Sequence, residues 1–182
     1  ETNDFRKVRR LIDTLEWAIK WHTVLTVSDL LRETELPPRM KVLLSKGLDT
    51  PGLGTWLSFF EESMASLKNP LAPWKKWQRL MDAKQSGIVK FRNDYAHGGT
   101  PDDIECRKDC QKFYPVLLQL IGSKVFTALD LIVSEPSGVY CLKGSEKKQR
   151  NLDVPQGHVA VILPDGKQLD LWPLAVCAPD NK

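Results

Sequence analysis

Residues 91–99, FRNDYAHGG, put a guanidinium, an amide, a carboxylate, a phenol and an imidazole within six consecutive positions, followed by two glycines. On an ideal helix Asn93 and His97 are four apart and share a face, so the amide can orient the imidazole. Arg92 and His97 are five apart and point about 140° from one another. The negative end of a helix dipole favours an imidazolium at His97, and a nearby guanidinium opposes it. A histidine held between these two influences is suited to general acid and base work, with Arg92 available to an anion. For both groups to meet one substrate, Arg92 must reach round the helix, or two copies of the chain must turn their motifs toward a shared groove.

Helical elements are expected to position this motif. Residues 4–33 carry apolar residues three or four apart between charged ones, which predicts several helical turns. The β-branched stretch HTVLTV predicts a kink or break in the middle. A short helix ending at Gly47 follows the prolines of LPPR, and Thr50 with Pro51 reads as the cap and first position of the next. From Trp74 to His97, Trp74, Trp77, Leu80, Met81, Ile88, Phe91 and Tyr95 fall near one stripe, with a weak point at Ser86 and Gly87. Gly98 and Gly99 stop this helix, and Thr100, Pro101, Asp102 and Asp103 start another, expected to run to about Val133 with a bend at Pro115.

After SEPSG the pattern changes. VYCLK, HVAVIL and QLDLWPLAV read as strands, and PDG (164–166) as the turn of a hairpin that packs Val159, Val161, Leu169, Leu171 and Trp172 inward. The expectation is a mainly α chain: a bundle of four to five helices over 1–135, then a small antiparallel β meander of three strands over 136–182. The connection GSEKKQRNLDVPQG is expected to be mobile.

The chain has 182 residues, 42% of them hydrophobic, and a formal charge of +3. This is enough for one sizeable core and too mildly basic for a DNA-packaging protein or a polybasic anchor. No apolar run is long enough to span a bilayer, and ETNDFRKVRR lacks the hydrophobic segment of a secretory signal, so the reading is cytoplasmic. Cys106, Cys110, Cys141 and Cys177 form no CxxC pair and read as free thiols; no metal and no cofactor is expected. The usual signatures of nucleotide hydrolysis, serine hydrolysis, zinc proteolysis and dinucleotide binding do not occur. The first residue is not methionine, and the expectation is a piece of a larger, bacterial-type multidomain protein.

The RNDYAH segment followed by glycine resembles the Arg-Asn-x-x-x-His motif of the HEPN superfamily (higher eukaryotes and prokaryotes nucleotide-binding). HEPN domains are bundles of four or five helices with this motif at the end of a late helix, before a further long one; the likeness covers roughly residues 4–133. It implies a metal-independent endoribonuclease, defence-related or a toxin, working as a homodimer on single-stranded RNA. Arg92 would stabilise charge on the phosphorane and His97 would assist proton transfer during attack by the ribose 2′-OH. Asn93 would hold the histidine or a phosphate. One position departs: many HEPN toxins carry a tyrosine two residues after the histidine, where this chain has Gly99. The alternative that the resemblance implies is a non-catalytic HEPN module for dimerisation or for binding a ligand or protein, regulating further domains of the same polypeptide.

Residues 74–99 hold six basic residues against Asp82 and Asp94, a balance suited to a phosphate backbone. Lys75, Lys76, Arg79 and Lys90 are therefore the candidate RNA contacts. Trp74 and Trp77 either stack on bases or fill the core, with the core favoured. The basic FRKVRR stretch reads as an exposed helical face, Tyr95 as core, and His22 and His158 as residues without chemistry.

Overall fold

In the computed structural model the described residues are 3–33, 35–47, 52–81, 87–98, 101–122, 129–143, 145–163 and 165–177. Helix α1, Asp4–Glu33, is unbroken. The HTVLTV stretch, expected to kink, stays helical because tertiary contacts override its weak propensity. Every residue from His22 to Leu30 is buried, and the two threonine hydroxyls there find carbonyls: Thr23 donates to Ile19 (2.8 Å) and Trp56 (3.2 Å), Thr26 to His22 (3.1 Å). This part of α1 runs through the middle of the molecule, so no solvated face is required of it.

Helices α2 (Pro38–Gly47), α3 (Leu53–Ser66) and α4 (Ala72–Leu80) follow. Thr50 and Pro51, read as a helix start, lie outside the described residues. Trp74 and Trp77 are fully buried, so they belong to the core and not to a stacking surface. The Trp74 indole N–H donates to Asp29 Oδ2 at 2.8 Å, and the same carboxylate accepts from Arg32 at 2.8 Å. Among the described residues the Trp74–His97 stripe holds two helices and not one: α4 stops at Leu80, and α5, Ile88–His97, starts after Gly87. Gly87 has φ +68°, a left-handed conformation that glycine adopts without the Cβ penalty. Helix α6, Asp103–Ile121, is capped by Asp102, whose side chain accepts from the Glu105 amide at 2.8 Å.

The helix expected to reach Val133 is a correction. It ends at Ile121, and Asp130–Glu135 is strand β1. β2 (Gly138–Lys143), β3 (Glu146–Gln149), β4 (Val159–Ile162) and β5 (Gln168–Asp170) complete a five-stranded antiparallel sheet of order β3-β2-β1-β4-β5, in place of the three-stranded meander. SEPSG is the β1–β2 turn, and β3 lies within the connection read as mobile. DLIVSE becomes a strand because it is central and covered on both faces. Val133 joins Val159, Val161 and Leu169 against the helices, while Ile132 packs with Cys141, Val154 and Ala160 on the far side. Around Asp165 and Gly166 the hairpin pairs Val161 with Leu169. Leu171 is buried, but Trp172, expected inside, is half exposed.

The sheet and helices share one hydrophobic cluster, so the β part is docked on the bundle, chiefly where β5 meets α1. No helix among the described residues is long and apolar enough to cross a membrane.

Candidate functional site

The face of α5 is set by Ile88, Phe91 and Tyr95, one every three or four residues and all buried. Phe91 stacks on Phe113 of α6 with ring centroids 4.1 Å apart, and Tyr95 meets Phe91 edge-on at 5.3 Å. The Tyr95 hydroxyl donates to Asp109 Oδ2 at 3.0 Å. Burial, then the neighbouring Cys106 and Asp109, push this phenol's pKa well above its ordinary range, so it stays a neutral donor. These contacts lock the rotation of α5 and thereby the direction of its polar residues.

Arg92 lies half-buried at the seam between α5 and α1. Its Nε is 3.9 Å from Glu16 Oε2, and its Nη1 donates to Asn93 Oδ1 at 3.2 Å. Glu16 also pairs with Lys20 at 2.9 Å. Two turns of α1 earlier, Arg9 donates to the Tyr95 carbonyl at 3.3 Å, which fixes the two helices as antiparallel. Asn93 and His97 are exposed. The Asn93 amide oxygen serves Arg92, and among the described residues no side-chain hydrogen bond joins Asn93 to His97. The exposed His97 imidazole makes no hydrogen bond or ion pair with any other described residue either.

The helix ends directly after His97. The Gly98 amide donates to the Asp94 carbonyl at 2.9 Å, and a Cβ on Gly98 would run into that same carbonyl oxygen. A side chain at this position would therefore force the last turn of α5 to shift.

Lys75, Lys76 and Arg79 are exposed on α4. Lys90 is exposed on α5 but forms an ion pair with Asp94 at 2.6 Å, one turn on, and that hydrogen bond raises the ammonium pKa. The motif therefore carries Arg92 and His97 on the outer turns of one helix, Asn93 between them in sequence, and a Lys90–Asp94 pair beside His97. It offers a guanidinium for a phosphate and an exposed imidazole for a proton.

Glu16 and Arg9 were not foreseeable as partners, because no local pattern links positions so remote in sequence. A second cluster also escaped: His158 Nδ1 is 2.8 Å from Asp170 Oδ2, and the imidazole stacks on Trp172 at 4.8 Å. The strand register brings these together, since Ala160 opposes Asp170. No protein-family model, curated protein or solved structure matches this chain.

Proposed function

We propose that the chain is a metal-independent endoribonuclease of the HEPN type, acting as a dimer on single-stranded RNA. The observation that carries this reading is the pairing of an anchored Arg92 with an exposed His97 whose ring has no partner among the described residues, on the last turns of α5, immediately before the Gly98 stop and a further long helix. Arg92 would sit on the developing phosphorane charge. The ribose 2′-oxygen would bond to phosphorus as its proton is taken up, and the bond to the 5′-oxygen would break as that oxygen gains a proton. The products are a 2′,3′-cyclic phosphate and a 5′-hydroxyl. DNA, lacking the 2′-OH, is not a substrate. With two copies, one His97 can remove a proton while the partner's His97 delivers one.

A non-catalytic module that binds RNA, a nucleotide or a partner is the second reading. It is favoured by one feature: the Arg92 guanidinium already has Glu16 as a counter-ion. Incubation of wild type, Arg92→Ala and His97→Ala with mixed single-stranded RNAs in excess EDTA separates the two. The ribonuclease reading expects cyclic-phosphate ends from wild type and a loss of about 100-fold or more in each variant, with unchanged melting. RNA binding by wild type without cleavage, weakened in the variants, selects the module.

A further inference from the structure

Helices α1 and α6 run in the same direction, as Arg107 pairs with Asp4 at one end (2.8 Å) and His22 reaches the Leu120 backbone at the other. Between them lies an open groove of ≈ 690 Å³, floored by Leu11, Cys110 and Leu117. Tyr114, 54% accessible, lines it, and helical spacing carries the same two faces on to Leu118 (48%), four residues past Tyr114, and Trp17 (54%), three past Thr14. Apolar exposure on neighbouring helical positions marks an interaction surface. The charge at the groove is one-sided. Lys7 and Arg10, from the FRKVRR stretch, stand on its α1 rim. Lys7 is paired with Asp4, whereas Arg10 is exposed and has no ion-pair partner among the described residues.

We propose that this groove docks an acidic amphipathic helix of a partner protein. The apolar face of that helix would lie along Leu11, Tyr114, Leu118 and Trp17, and its carboxylates would meet Arg10 and Lys7. The stretch of α1 from Lys7 to Trp17 is about 15 Å long, matching about three turns of a bound helix. The site is separate from the motif. Arg92 approaches α1 at Glu16, which on an ideal helix points roughly 160° away from Thr14 on the groove side. A helix in the groove therefore leaves Arg92 and His97 accessible.

The probe is a fluorescein-labelled helical peptide of about 14 residues with leucines along one face and glutamates in one terminal turn. Its anisotropy should rise saturably with wild-type protein, and the emission of Trp17 should change. Leu118→Glu and Arg10→Glu should each weaken binding roughly tenfold or more without altering the melting temperature. A peptide with lysines in place of the glutamates should bind wild type poorly and regain affinity for Arg10→Glu. Absence of saturable binding overturns the proposal, as does binding that neither variant changes. Sedimentation showing a wild-type dimer that Leu118→Glu dissociates would instead assign the face to a second copy of this chain, and would also overturn it. RNA cleavage, where present, should be unchanged in both variants, so a failure here is distinct from a failure of the ribonuclease reading.

Discussion

Arg92 and Glu16 face one another across the α1–α5 seam at 3.9 Å, with the guanidinium still about one-third exposed. The carboxylate holds the arginine in place and at the same time neutralises part of the charge a phosphate would seek. Replacing it with an amide keeps the shape and removes the competition. Glu16→Gln should therefore bind single-stranded RNA a few-fold more tightly, with a steeper dependence on salt. Partly exposed pairs of this kind contribute little to folding, so stability should change by less than about 1 kcal/mol. Salt-dependent binding isotherms of the two proteins check this, and a loss of affinity in the variant would mean that Glu16 acts chiefly to position Arg92.

Gly98 supplies a second test that leaves Arg92, Asn93 and His97 untouched. Because a Cβ there meets the Asp94 carbonyl oxygen, Gly98→Ala must shift the last turn of α5 and with it His97. The expected outcome is a drop in RNA cleavage of roughly tenfold or more. Gly54→Ala is the control: nothing lies within 4 Å of a Cβ at that position in α3. It should leave activity alone and raise stability by up to about 1 kcal/mol. Equal activity in Gly98→Ala and wild type would show that the exact end of α5 is unimportant.

Much of the helical part was legible because its signals are local. Apolar spacing, the Gly87 break, the Gly98 stop and the acidic start of α6 each act within one or two turns. The misreadings share a cause, which is burial supplied by distant parts of the chain. The β-branched centre of α1 stays helical because α3, α4 and the sheet surround it. DLIVSE, apolar on both faces, looked like the tail of a helix, and its identity depends on strands that arrive up to some thirty residues later. Trp172, expected inward beside Leu171, stacks on His158 at the surface, as strand alternation after a buried Leu171 requires. For the motif, the sequence supplied the residues and their spacing; the partners Glu16 and Arg9 exist only in the folded chain.

Asp29 offers a stability prediction that bears on the core and not on the site. It is a fully buried carboxylate accepting from the Trp74 indole N–H and the Arg32 guanidinium. Asp29→Ala leaves the indole N–H unpaired in the interior and should destabilise by roughly 2–4 kcal/mol. Asp29→Asn keeps an acceptor and should cost about half as much. In a chain of this size each kcal/mol lowers the melting temperature by about 2–4 °C. Equal losses in the two variants would mean that charge, not the indole hydrogen bond, sets the effect.

His22 predicts how stability depends on pH. It sits inside α1 with its Nδ1 on the Ala18 carbonyl and its ring edge-on to Trp77 at 3.7 Å. Desolvation is the largest influence and lowers its pKa to about 4; backbone hydrogen bonds to Ala18 and Leu120 oppose that only in part. The folded chain thus keeps a neutral imidazole, while the unfolded chain takes up a proton below the ordinary value of about 6.5. Above that pH both states are neutral and His22 introduces no slope. Between about 6.5 and 4 the unfolded state binds the extra proton, so this residue's share of stability falls by about 1.4 kcal/mol per pH unit, roughly 3 kcal/mol in all. Other groups also titrate in that window, so the measure is a difference. Denaturant unfolding of wild type and His22→Gln from pH 7.5 to 4.5 should show the wild type losing more stability on acidification. Parallel curves would mean that His22 is already protonated in the folded chain or is solvated on opening of the α1–α4 contact.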